Sequence, residues 1–179
     1  AFYDVLEVTS KPVIASHSSA RHFTPGFERN MSDEMITALG EHGGVIFINF
    51  GSAFLTEAAN NYGPQLREAL ADAGITDSDS EEAIAFAEQW KLANPYPYAT
   101  LEDVLDHIDH AVALAGINAV GIGSDYDGVD DTLPVGLKDV SSYPNLIEGL
   151  LGRGYSIEDI EKIMSGNLKR VWLEVEQEA

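Results

Sequence analysis

Three short runs rich in apolar and β-branched residues punctuate this chain, and stretches of helical period separate them. They are Pro12 to Ser16 (PVIAS), Val45 to Phe50 (VIFINF) and Ala119 to Ser124 (AVGIGS). Each is short, and each is apolar on both faces, as a buried strand is. Strands covered on both faces and joined through helices belong to a parallel sheet with right-handed crossovers. The expected fold class is therefore α/β. A closed barrel takes eight strands and about 250 residues. The pattern alone thus leaves two architectures, a small open sheet or part of a barrel.

The helices between the runs carry their own start and stop signals. Ser32 is placed to cap a helix through about His42 that carries Met35, Ile36 and Leu39 on one face, with Gly43-Gly44 ending it. A long helical stretch from roughly 64 to 93 is broken at Thr76 to Ser80, and Asn94-Pro95-Tyr96-Pro97 closes this insertion, which spans about 55–98. Thr100 with Asp103 opens the next helix as a capping-box variant. Leu101, Val104, Leu105, Ile108, Val112 and Ala115 fall on one face of it, before Gly116. Three more helices follow Pro144, follow a cap at Ser156, and place Leu168, Val171, Trp172 and Val175 in register. The first residues, with Phe2, Val5, Leu6 and Val8 apolar and no cap before them, read like the middle of a helix and suggest a fragment.

Composition removes several function classes. The formal net charge of -20 opposes binding to nucleic acid or to anionic membranes. The absence of cysteine excludes disulfides and thiolate metal ligands. No apolar run approaches the roughly 20 residues of a membrane-spanning helix. The compartment stays open between bacterial cytoplasm and periplasm.

Each strand run ends at a polar group: His17 after the first, Asn49 within the second, Asp125 after the third. In parallel α/β folds the carboxyl ends of strands are where reactive groups gather. Around them stand the segments SHSSAR (residues 16–21), Arg29-Asn30, GIGSDYDG (121–128), YPNL (143–146) and GNLKRV (166–171). In this order and spacing they resemble the C-terminal portion of the membrane (renal) dipeptidases, a family of zinc peptidases. The long stretch between Ser52 and Tyr98 resembles the bacterial members.

The resemblance implies a (β/α)8 barrel, of which this chain would be the C-terminal part with a helical insertion. It also implies two zinc ions bridged by a carboxylate and a hydroxide that attacks a dipeptide's peptide bond. Residue by residue, His17 matches a zinc ligand, Arg29 the group that holds the substrate's C-terminal carboxylate, and Asp125 the proton-shuttling carboxylate beside the metals. A tyrosine that helps bind that carboxylate in the mammalian enzyme falls at Phe54 here. The family's His-x-Asp pair, bridging Glu and second His have no counterpart, so this chain alone is expected to be inactive. The missing N-terminal half or a second chain, a homo-oligomer included, would supply them and cover Val13, Ile46, Ile48 and Val120, which are expected to face the absent barrel wall.

Two other readings remain at this stage. One is a non-catalytic domain that binds a partner; the other is a related metal-dependent amidohydrolase acting on N-acyl amino acids or lactams. Weaker patterns carry less. His107 and His110 have ligand-like spacing, but a helical wheel puts His110 opposite the apolar face and His107 on its flank, so both are expected to face solvent. Asp125, Asp127 and Asp130 suggest a calcium loop, but Gly136 stands where such a loop needs Glu. His22 and His42 could approach the site, with nothing in the sequence requiring it.

Overall fold

The computed structural model describes residues 1–177. In chain order it contains helix α1 (Phe2–Val8), strand β1 (Ile14–Ser18), helix α2 (Asp33–Glu41) and strand β2 (Val45–Ile48). Helices α3 (Ser52–Leu55), α4 (Glu57–Asp72), α5 (Glu81–Ala93) and α6 (Leu101–Ala115) precede strand β3 (Val120–Ile122). Helices α7 (Tyr143–Gly152), α8 (Ile157–Glu161) and α9 (Asn167–Glu176) complete it. The strands form one parallel sheet in the order β1-β2-β3.

The caps form as the sequence anticipates. Ser32 accepts a hydrogen bond from the Met35 N–H, and the Thr100–Asp103 box closes in both directions. Gly43 and Gly116 take positive φ of 76° and 81°, which glycine adopts without strain. Boundaries differ in several places: β1 begins at Ile14, and β2 and β3 are shorter than the expected runs, ending at Ile48 and Ile122. β1 runs two residues beyond the expected Ser16, so His17 lies inside the strand. The insertion opens with the short α3, and Thr56 caps α4 through the Ala59 N–H, which puts Pro64 inside that helix. A widened turn at Lys162–Gly166 joins α8 to α9. There the Asn167 amide donates to the Ile117 and Val120 carbonyls, at 2.8 and 2.7 Å, and docks the helix under β3.

The central strand organises the core. Ile46, Ile48 and Val120 are fully buried and share one cluster with Ile36 and Leu39 of α2 and with Val104, Leu105 and Ile108 of α6. Val45 and Phe47, on the other face, meet Val171 of α9. This corrects the expectation for Val13, Ile46, Ile48 and Val120. The period-2 alternation turns the last three toward the helices, and Val13 is half-buried against the same core. Apolar side chains exposed beside the sheet include Ile14 on the edge strand and Trp172 and Val175 on α9.

The histidines of α6 are a second correction. His107 is fully buried, because the segment after β1 and the end of α3 fold over the flank of the helix. Its Nδ1 accepts from the Ala20 N–H at 3.0 Å, so Nε2 carries the proton and donates to the Leu55 carbonyl at 3.0 Å. His110 is partly buried, with Nε2 2.8 Å from Asp33 Oδ1.

Burial pushes the His107 pKa down from 6.5 to about 4. The unfolded chain therefore binds this proton first as pH falls. The stabilisation is complete above about pH 6.5 and is lost toward pH 4, by up to about 1.4 kcal/mol per pH unit. Urea titrations at pH 7.5, 6.5 and 5.5 should show the midpoint falling with pH. In His107→Gln the midpoint should start lower and fall less over the same interval.

Candidate active site

The carboxyl ends of the strands are joined through one buried residue, Asn49, by its backbone and its side chain together. Its backbone N–H donates to the Ser18 carbonyl at 2.7 Å, and its own carbonyl accepts from Ser19 Oγ at 3.2 Å, which fastens it to the end of β1. Its Oδ1 accepts from the Gly51 N–H at 2.7 Å. That bond fixes which way the amide is turned, and Nδ2 donates to Asp125 Oδ2 at 2.8 Å. Further backbone bonds, Gly123 N–H to Ile48 at 3.0 Å and Phe50 N–H to Ser124 at 3.1 Å, extend the β2–β3 pairing up to the aspartate.

Asp125 is half-buried and stands at φ 62°, in the left-handed region that Asp and Asn enter more readily than other side-chain-bearing residues. The Gly128 N–H donates to its carbonyl at 3.0 Å, and the carboxylate fills the space that a side chain at 128 would need. His17 is exposed near the end of β1. Its Nδ1 pairs with Ser16 Oγ at 2.8 Å, and Nε2 has no partner among the described residues.

Arg29 sits on the loop after β1, and that loop is tied shut. Ala20 and Met31 pair as a short backbone bridge. Arg21 donates to the Asn30 carbonyl through Nε at 3.0 Å and Nη2 at 2.7 Å. Ser18 Oγ donates to the Arg29 carbonyl at 3.2 Å, which anchors that residue beside His17 in the chain. The exposed guanidinium lies over the Phe54 ring, 5.6 Å from its centroid, and forms no salt bridge among the described residues. Asn30 is buried. Its Nδ2 donates to Thr24 Oγ1 at 2.7 Å and to the Phe54 carbonyl at 2.8 Å, and its Oδ1 has no partner among the described residues.

The sequence-derived residues thus come together unequally. Asn49 ties the Asp125 carboxylate to the backbone of Ser18, the residue after His17, and Ser18 in turn binds the Arg29 carbonyl; the His17 ring itself bonds only to Ser16 among the described residues. His42 lies at the far end of α2, with Nε2 3.2 Å from the Thr9 carbonyl. His22 stacks on His110 instead of reaching the strand ends. Asn30 was missed, because an asparagine after an exposed arginine carries no burial signal of its own.

The model of the family described as "Membrane dipeptidase (Peptidase family M19)" matches residues 1–179. The chain belongs to that family. Dipeptidase tcpJ of Claviceps purpurea is 35% identical over 179 residues, which cover 100% of this chain and 33% of that protein. The probable dipeptidase PvdM from Pseudomonas aeruginosa superposes with a TM-score of 0.80 at 30% identity, over 100% of this chain and 48% of the other. A metallo peptidase from Rhodobacter sphaeroides, liganded with a phosphinate mimic of the dipeptide L-Ala-D-Ala, gives a TM-score of 0.69 at 26% identity, over 97% and 39%. The chain therefore spans about a third of the length of that curated relative.

Family membership implies a metal, and the strand-end residues do not complete a site for one. His17 offers one imidazole, whereas a structural zinc site takes about four ligands. Among the described residues, the one group of three or more potential ligands with atoms within 4.8 Å of one another is His22, Asp33 and His110, which includes neither His17 nor Asp125.

Asn49→Ala should destabilise the chain by about 2–4 kcal/mol, because it strips the partner from the buried Gly51 N–H and one donor from Asp125. Asn49→Asp should be worse at pH 7 than at pH 5, since it sets two carboxylates against each other. Urea midpoints of both variants at the two pH values test this.

Proposed function

We propose that this chain is the part of a zinc dipeptidase barrel that carries substrate capture and proton transfer, with the remaining metal ligands supplied from outside these residues. The observation that supports it is the bonded chain from the Asp125 carboxylate through Asn49 and Ser18, the residue after His17, to the Arg29 carbonyl at the carboxyl ends of the strands. The share of its relatives' length that the chain spans leaves room for the other strands and ligands, in the same polypeptide or in a second one. His17 contributes one zinc ligand through its unpartnered Nε2.

Arg29 binds the substrate's C-terminal carboxylate. A guanidinium fork matches a carboxylate in shape and charge, and Phe54 lies under it where no acid among the described residues pairs with it. Asp125 accepts a proton from the attacking water and returns it to the leaving amine. Asn49 favours this by presenting one carboxylate oxygen as an acceptor already satisfied, which leaves the other for the proton. The named dipeptidase and metallopeptidase relatives favour this reading over a partner-binding domain. The free Arg29 favours a substrate with a terminal carboxylate, which dipeptides and N-acyl amino acids share and simple lactams lack.

The protein expressed from its complete reading frame should hydrolyse Ala-Ala in a zinc-dependent way. Arg29→Ala should lower kcat/KM for Ala-Ala by about 2 kcal/mol, roughly 30-fold, and should change little for the dipeptide amide. Equal losses on both substrates would remove Arg29 from carboxylate binding. Asp125→Asn, which keeps shape and backbone conformation, should lower kcat by about 10²–10⁴-fold with zinc content unchanged. Metal analysis alongside stopped-assay kinetics reads both quantities, and loss of metal would instead make Asp125 a ligand.

A further inference from the structure

We infer that His22, Asp33 and His110 form a binding site for a divalent transition metal that uses neither His17 nor Asp125. Three elements each contribute one ligand. His22 comes from the turn Arg21–Phe23, Asp33 is the first residue of α2, and His110 lies in α6. Their ligand atoms lie within 4.8 Å of one another. His110 Nε2 already stands 2.8 Å from Asp33 Oδ1, and the His22 and His110 rings stack with centroids 4.5 Å apart and an interplanar angle of 24°.

Bonds of about 2.0–2.2 Å in a tetrahedral zinc site hold ligand atoms roughly 3.3–3.5 Å apart. Reaching that geometry takes an opening of the His110–Asp33 contact by a fraction of an ångström and a swing of His22. The donors suit this. Asp33 is anchored by the Ser32 cap and by Thr37 Oγ1 on its own carbonyl, and Phe23 flanks His110 edge-on. His22 is exposed, and its ring nitrogens bond to no protein group among the described residues. His107 cannot join, since both of its nitrogens are engaged. Two imidazoles and a carboxylate with open positions match zinc and its neighbours rather than magnesium or calcium. A net charge of -20 raises the local concentration of any such cation.

The site's place gives it a consequence. His22 lies on the loop that runs from His17 to Arg29, and the other two ligands lie on helices of the core. An ion here would pin that loop to α2 and α6. This inference needs no assumption about dipeptide hydrolysis.

The test is zinc binding to the protein expressed from its complete reading frame, by equilibrium dialysis, together with thermal melts with and without added Zn²⁺. His22→Ala removes an exposed ring and leaves the core intact. It should bind one zinc ion per chain fewer than the parent and should lose the part of the zinc-induced rise in Tm due to this site. His17→Ala should keep that part whatever happens at the strand ends, so failure of the dipeptidase reading would not mimic failure of this one. Equal zinc stoichiometry and equal Tm response in the parent and His22→Ala would overturn the proposal.

Discussion

The strand ends of this molecule converge on a single buried residue. Asn49 leaves the central strand and meets four neighbours at once: the Ser18 carbonyl, the Ser19 hydroxyl, the Gly51 N–H and the Asp125 carboxylate. Buried polar groups cost heavily when unpaired. This residue is stable only if β1, the turn into α3 and the loop after β3 all take their native places. The packing beneath it is generic, apolar side chains of alternating period against two helices. The amide makes that packing specific at the end where chemistry would occur.

A second buried polar group plays the corresponding part for the helical layer. His107 reads both the Ala20 N–H and the Leu55 carbonyl, so α6 is locked to the loop after β1 and to the start of the insertion. The loop that carries Arg29 is thereby fixed from two sides, by His107 through Ala20 and by Ser18 through the Arg29 carbonyl. Neither bond involves a side chain proposed to touch substrate. Both determine where such side chains stand.

Much of this was legible in the residues. Strand alternation with helices, the Ser32 and Thr100 caps and the Gly43 and Gly116 stops rest on local chemistry, and local chemistry is what a sequence displays. The strand-end positions of His17 and Asp125 followed from the same reading, and the SHSSAR and GIGSDYDG segments supplied the family. What failed was tertiary. A helical wheel ranks residues by one helix's own apolar face, and it put His107 in solvent because no wheel contains the loop and the helix that fold over its flank. The facing of Ile46, Ile48 and Val120 was assigned from the expectation of a missing wall, whereas the partner that decided it was the helical layer already present. Asn30 and the bonds of Asn49 were invisible for a related reason: an amide gives no sign in sequence of what it will bind.

Position 125 carries two demands that coincide in one residue. The backbone there is left-handed, which Gly, Asn and Asp meet with little strain, and the Asn49 amide asks for an acceptor. Of these three, Asp and Asn can offer an oxygen, and Asp alone can take up a proton. A relative that had lost its chemistry would still be held to Asp or Asn by the turn itself. An aspartate at this place is therefore weak testimony to activity across the family. The exposed Arg29, which no backbone geometry requires, would be the first to drift in a relative without the carboxylate binding proposed for it.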